Sequence, residues 1–277
     1  MDDVEKWCPE SLWLLARGLL PDVPQRHQGG GRRRLDDRTV LAAILYVLQT
    51  GCAWSALPTS FGVSAPTAHR RFTEWSAAQV FTRLHQELLD LLGTAGAIDW
   101  SRASVDSMYI RAVKKGDLTG PSPVDRGKPG SKIHAMSDRS GIPLTVVISA
   151  ANRNDHREFQ TVIDAVAPVR GPVGRPRRRP RKLHADKGYD YPVCRHALRR
   201  RGIIARIARR GIESTTRLGR HRYVIERTLE WVSRFRRLAR RYERKAAHYA
   251  AFASLGCAVI CYRRAVKLDL LTHNNPK

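Results

Sequence analysis

At Ala97 the hydrophobic pattern changes period, and that change restricts the architecture of this 277-residue chain more than any other feature. Before it, apolar residues recur every three or four positions. Val40, Ile44, Leu45 and Leu48 form one such set, and Phe81, Leu84, Leu88, Leu91 and Leu92 another. That is the spacing of one helix face. After it come short apolar runs bounded by turn residues: 103–113, 132–137, 142–150, 182–186 and 203–207, each read as a strand. Helical patterns lie between and after them, at 155–166, 191–201, about 221–241 and about 247–265.

The order beyond Ala97 is therefore three strands, helix, strand, helix, strand, helix. Hairpin-joined strands continued by α/β crossovers give a mixed five-stranded sheet with helices on its faces. This is also the order of a ribonuclease-H-like fold. The expected organisation is an all-α segment over 1–96 followed by an α/β ribonuclease-H-like catalytic domain over 97–277. In the first segment Asp36 and Asp37 can cap a helix that Gly51 ends. Gly62 can make a turn, and Ser64 can cap a helix through Thr67, His69, Arg70, Arg71 and Phe72 to Trp75. The pair resembles a helix-turn-helix, whose second helix presents small polar and basic side chains to DNA.

Charge narrows the partner. Fifty Lys and Arg face 25 Asp and Glu, for a net of +25. Between Arg170 and Lys245 there are 26 Lys or Arg against 6 Asp or Glu, so +20 of the excess is concentrated there. A one-sided field of that size suits a polyanion such as DNA. A membrane-surface protein would need a broad amphipathic anchor, which is not seen. No apolar run reaches the roughly 20 residues of a membrane helix, and the acidic opening Met1-Asp-Asp-Val-Glu5 is no signal peptide. The expected compartment is the cytosol. Five scattered cysteines form no disulfide framework, and Cys257 and Cys261 read as small core hydrophobes.

Phosphodiester chemistry with divalent metal requires carboxylates, because Mg2+ and Mn2+ are hard ions that take oxygen ligands. Two ions about 3.5–4 Å apart can serve the attacking and leaving oxygens. Asp106 lies inside the first strand, where an acid is costly unless paired or metal-bound. Asp186 ends the fourth strand, at the carboxyl end where α/β sheets bind ligands. Glu226 lies beside the stripe Ile225, Leu229, Val232, Phe235 and Leu238, one turn after Arg222, with which it could instead form an i,i+4 pair. Glu230 competes with it for the third position. Asp155 and Glu158 are expected to cap the helix they begin. The ten histidines show no zinc spacing, and His184 is expected to face the fold. Gly29-Gly-Gly-Arg32 lacks the Lys-Ser/Thr ending of a phosphate loop, so no nucleotide cofactor is expected.

Several stretches together resemble transposases of the insertion-sequence-five family. They are Leu48-Gln-Thr-Gly-Cys-Ala-Trp54 with Arg70-Arg-Phe-Thr-Glu-Trp75, Ser104-Val-Asp-Ser107, Pro123-Val-Asp-Arg-Gly-Lys-Pro-Gly-Ser-Lys132, Ser149-Ala-Ala-Asn-Arg-Asn-Asp155, His184-Ala-Asp-Lys-Gly-Tyr-Asp190, Arg222-Tyr-Val-Ile-Glu-Arg-Thr-Leu-Glu-Trp231, Arg234-Phe-Arg-Arg-Leu238 and Arg241-Tyr-Glu-Arg244. The resemblance spans nearly the whole chain. It implies a catalytic, metal-binding triad of Asp106, Asp186 and Glu226, with Arg222 four residues before the glutamate. The tyrosine often found three residues before that arginine is Gly219 here, and the basic residue often found seven after the glutamate is Ser233, beside Arg234. The implied activity is metal-dependent cleavage at element ends and strand transfer into target DNA, with Mg2+ or Mn2+ as two ions. The implied partners are double-stranded terminal inverted repeats and target DNA, engaged by a homodimer.

The basic residues expected on DNA are Arg70 and Arg71 of the helix-turn-helix, Arg175, Arg177, Arg178, Arg179 and Arg181 of the Pro/Gly loop, and Lys187. Arg222, Arg227, Arg234 and Arg237 of the late helix complete the set. Trp231 could stack on an unpaired base. The alternatives are a non-catalytic DNA-binding regulator derived from such an enzyme, or a metal-dependent nuclease of the same fold.

Overall fold

The computed structural model describes residues 3–22, 34–211 and 215–271, with side chains described from Tyr223 onward in the last stretch. Residues 28–33 of the glycine-arginine loop and the side chain of Arg222 lie outside what is described. Five helices open the chain: α1 (Asp3–Trp7), α2 (Glu10–Arg17), α3 (Asp37–Thr50), α4 (Ala65–Ala77) and α5 (Val80–Thr94). Helix α3 starts where Asp36 accepts a hydrogen bond from the Thr39 backbone N–H at 2.9 Å, and it ends at Gly51 in the left-handed conformation, φ 69°. Gly62 makes the turn before α4 at φ 62°. Ser64 stands at the start of α4 without capping it, because its hydroxyl bonds Thr67 Oγ1 at 3.0 Å rather than a backbone N–H.

The sheet has six strands: β1 (Ala103–Arg111), β2 (Gly120–Pro121), β3 (Pro129–Asp138), β4 (Pro143–Ala150), β5 (Lys182–Ala185) and β6 (Ile204–Ile207). Five were expected. The sixth, β2, is a two-residue segment of the Gly/Pro loop held by pairing with β3. Strands β1, β3 and β4 are antiparallel, and β1, β5 and β6 are parallel. Helix α6 (Asp155–Asp164) crosses from β4 to β5, and α7 (Pro192–Arg200) from β5 to β6. This is the ribonuclease-H-like arrangement with β1 central. Helix α8 (Thr215–Ser233) lies against β1, β3 and β5.

The late basic helix differs from expectation. Instead of one helix over 221–241, α8 stops at Ser233, Phe235 adopts extended backbone (φ −73°, ψ 105°), and a short α9 (Arg236–Ala239) follows. Arg241 then leaves helical conformation altogether. Its N–H donates to Arg111 O at 3.0 Å and its carbonyl accepts from Val113 N at 2.9 Å. Its guanidinium, fully buried, donates to Ser131 Oγ and Asp117 O at 2.6 Å, Glu243 O at 2.8 Å, Leu118 O at 3.1 Å and Arg244 O at 3.2 Å. A guanidinium has five donors and no way to shed its charge, so burial is tolerable only when carbonyls surround it.

Helix α10 (Ala246–Lys267) joins the two halves. It packs on α4 and α5 from the first segment and on β4 of the sheet. A single apolar core runs from Leu12 and Leu41 through Phe72, Phe252 and Leu255 to Val105 and Leu183. The change of period at Ala97 therefore marks a change of texture, while the core passes across it. Cys257 and Cys261 are fully buried in α10 as expected, and burial pushes the Cys257 thiol up to about 12. Among the described residues no helix is long and apolar enough to cross a membrane.

Candidate active site

Strands β1 and β5 pair in parallel with Ala103 opposite Leu183 and Ser104 opposite His184. The same offset brings Asp106 level with Asp186 two residues further on. Asp186 keeps extended backbone (φ −77°, ψ −177°), so the strand geometry persists to it. Residues level on neighbouring parallel strands project to the same face, roughly 5 Å apart. Each carboxylate is also aimed by a following backbone N–H: Ser107 N donates to Asp106 Oδ1 and Gly188 N to Asp186 Oδ1, both at 2.8 Å. Space at Gly188 is tight, since a Cβ on it would stand 3.0 Å from Asp186 Oδ1 and press on that carboxylate.

That face is the one α8 covers. Asp106 pairs with Ala135 across β1 and β3, and Ala135 packs with Ile225 and Leu229 of α8 together with Met108 and Val146. Glu226 follows Ile225. With about 100° of rotation per residue, Glu226 projects about 80° from the mean direction of Ile225 and Leu229, and Glu230 about 120°. Glu230 is tied to Arg234 at 2.6 Å on the outer surface. Glu226 is exposed, and among the described residues no three His, Cys, Asp or Glu side chains stand within reach of one metal ion. Asp106 and Asp186 carry the hard oxygen donors a divalent ion takes.

Behind the pair, on the opposite face, lies a network the sequence reading did not foresee. Ser107 Oγ and Lys132 Nζ both donate to Asp155 Oδ1 at 2.9 Å, and Lys132 Nζ also donates to Arg153 O at 2.8 Å. Lys132 is 2% exposed and lies over the Tyr109 ring, 4.4 Å from its centroid. His134, wholly buried, hydrogen-bonds Ser149 at 2.7 Å. Burial pulls the His134 imidazole down to about 4, against the pull of Asp155. Asp155 was expected to cap α6. Asn154 holds that position instead, and Asp155 serves Lys132 and Ser107. Glu158 pairs with Arg153 at 2.6 Å. Tyr189, buried against Phe159, has its phenol pushed well above the ordinary range by burial, then by the charges of Asp155, Asp106 and Asp186. Its hydroxyl thus feels carboxylates from α6, from β1 and from the residue just after β5. The available signal was a lone lysine inside a buried strand, which calls for a carboxylate partner.

The cationic residues separate into two groups. Arg70 is exposed on α4, and Arg175, Arg177, Arg178, Arg179 and Arg181 are exposed on the loop before β5. Lys187 is half-buried beside Asp186, and Arg234 is exposed. Arg71 and Arg237 are not available to phosphate. Arg71 is 4% exposed between Glu74 and Asp37, and Arg237 is 5% exposed, paired with Glu243 at 2.6 Å and donating to Cys52 O. Arg227 donates to Ser140 O at 2.8 Å and lies over the Trp231 ring, 4.9 Å from its centroid, so it holds the β3–β4 turn and covers the ring expected to meet a base.

A ribonuclease-H-like sheet with two level acids on its central parallel strands defines a nuclease-and-transferase class of phosphodiester enzyme. Residues 94–261 match the family model described as "Transposase DDE domain", and residues 9–85 match "Putative transposase of IS4/5 family". The chain belongs to the DDE transposases of IS4/5-type insertion sequences, enzymes that cleave DNA and transfer its strands with the aid of divalent metal ions. It is 46% identical over 151 residues to the putative transposase for insertion sequence element IS402 of Burkholderia cepacia, covering 54% of this chain and 72% of that protein. It is 45% identical over 116 residues to the insertion element IS402 uncharacterized 16.2 kDa protein of the same organism, covering 41% of this chain and 79% of that one. The Mos1 transposase paired-end complex with left transposon end is 11% identical, with 87% of this chain and 82% of that chain covered and a TM-score of 0.26.

Proposed function

We propose that Asp106, Asp186 and Glu226 are the DDE triad, and that the common level of Asp106 and Asp186 on adjacent parallel strands is the observation that carries this reading. Divalent ions, Mg2+ or Mn2+ and two in number, would lower the proton affinity of the attacking oxygen and neutralise charge at the phosphate. The backbone N–H groups of Ser107 and Gly188 keep the two aspartates aimed, so little reorganisation is needed when DNA arrives. Glu226 completes the set by turning inward from α8. Water attacks first and frees a 3′-hydroxyl, which then attacks target DNA. Residues 1–96, through Arg70 on α4, contribute to reading the terminal inverted repeats, and 97–277 perform the chemistry. Arg175, Arg177, Arg178, Arg179, Arg181, Lys187, Arg222 and Arg234 follow phosphates. Two ends are joined in concert by a homodimer acting on the nucleoid in the bacterial cytoplasm.

The test is metal-dependent cleavage and joining on DNA carrying the element's own ends. Wild type is compared with Asp106→Asn, Asp186→Asn, Glu226→Gln and the neighbouring control Glu230→Gln. Loss of both reactions in the first three, with binding retained and the control active, is the expected result. Activity surviving in Glu226→Gln but not in Glu230→Gln would move the third position.

A further inference from the structure

A second cleft of about 330 Å³ lies away from the aspartates, between α4, the turn at Trp54, the segment after α9 and the start of α10. Its walls are aromatic. Trp54 meets Phe72 at 5.5 Å between ring centroids and His69 at 5.3 Å, and Tyr242 is 40% exposed across from them. In its floor the Arg237 guanidinium lies 5.0 Å from the Tyr242 ring centroid with its charge balanced by Glu243 at 2.6 Å. Its rim carries Arg244 and Lys245, both exposed.

We infer that this cleft receives an unpaired nucleotide of the bound DNA, the base against Trp54 and Tyr242 and the phosphate on Arg244 and Lys245. The observations fit that occupant better than an apolar one. Aromatic walls stack on any base, and adjacent free cations suit its phosphate. The volume falls at the lower end of small-ligand sites, where a single nucleotide belongs. The cleft also borders α4, whose His69 and Thr73 line it and whose neighbouring Arg70 is exposed. A base taken out of the stack needs such a receiving pocket. This inference rests on the reading of the chain as a DNA-binding enzyme.

The experiment uses the full chain and two fluorescent duplexes of the element end, one plain and one with a single extra unpaired nucleotide placed in turn along it. Wild type is expected to bind at least one bulged duplex about tenfold more tightly than the plain one. Tyr242→Ala and Lys245→Gln should each collapse that ratio toward one while leaving plain-duplex affinity nearly unchanged. Lys245 is exposed, so its variant tests the cleft even where Tyr242→Ala disturbs packing. Equal binding of plain and bulged duplexes by wild type would overturn the inference. So would a preference that persists in both variants, since it would then report only the flexibility of bulged DNA. Failure of wild type to bind either duplex would overturn the DNA-binding reading itself, and this inference with it.

Discussion

Ser104 pairs with His184 across parallel β1 and β5, and carrying that offset of 80 residues two positions further sets Asp106 level with Asp186, the extended residue just past β5. The relationship is strict in a way that a pair of loop residues would not be. A slip of one residue in β5 would turn Asp186 to the α6 face, since side chains alternate along a strand.

Neutralising either acid should therefore remove the chemistry without removing the fold. Asp106→Asn and Asp186→Asn are expected to slow end cleavage by at least about 10²–10³-fold, the scale of losing one preorganised electrostatic group. Gel-based cleavage of end-bearing DNA measures this, and full activity in either variant would refute the assignment.

Tyr189 separates packing from chemistry. It is 1% exposed against Phe159, so Tyr189→Ala should lose about 3–5 kcal/mol of stability. Tyr189→Phe keeps the ring and should stay within about 1 kcal/mol and retain cleavage. Urea unfolding of both variants reads the first effect. A large activity loss in Tyr189→Phe would show that the phenol itself takes part.

Arginines of one sequence segment should behave in opposite ways. Arg175→Ala and Arg177→Ala, exposed before β5, should leave stability within about 0.5 kcal/mol. Each should lower the slope of log affinity against log salt by about 1. Arg241→Met leaves the carbonyls that cage the buried guanidinium without a donor and should lose at least about 1–3 kcal/mol, with the salt slope unchanged. Titrations at several salt concentrations beside urea unfolding distinguish the two classes.

The contrast shows which parts of the structure could be read in advance. The cap at Asp36 and the stop at Gly51 are local signals, and they held. Asp106 was legible because an acid inside an apolar strand is anomalous. Counting charge between Arg170 and Lys245 gave magnitude but no direction, so Arg237 and Arg241 passed for surface residues. The break at Phe235 involves neither glycine nor proline. Beyond it the chain leaves helical conformation at Arg241, which pairs at the end of β1, more than a hundred residues earlier in the chain. Lys132, a lysine in an apolar strand, went unremarked, and its partner Asp155 opens α6, 23 residues later.

Acid should weaken the fold through two buried imidazoles. His85, bonded to Pro143 O at 2.8 Å, is held down to about 4 by burial, and burial also lowers His134. The folded values lie below the unfolded one of about 6.5, so the unfolded chain binds more protons in between, and stability rises with pH across that interval. It is fully present above pH ~6.5 and is lost as pH falls toward ~4. Urea midpoints over this range should drop in wild type and drop less in His85→Gln. Identical slopes would mean that His85 contributes nothing to the acid sensitivity.

Helix α10 carries a consequence for how the enzyme comes into being. It is the last element described, yet it completes the core of α4 and α5, which leave the ribosome about 150 residues earlier. At about 5–20 residues per second, the amino-terminal helices wait many seconds with their apolar faces uncovered before that helix is synthesised. The packing of α4 and α5 is therefore finished late, in one step, when α10 folds back onto them.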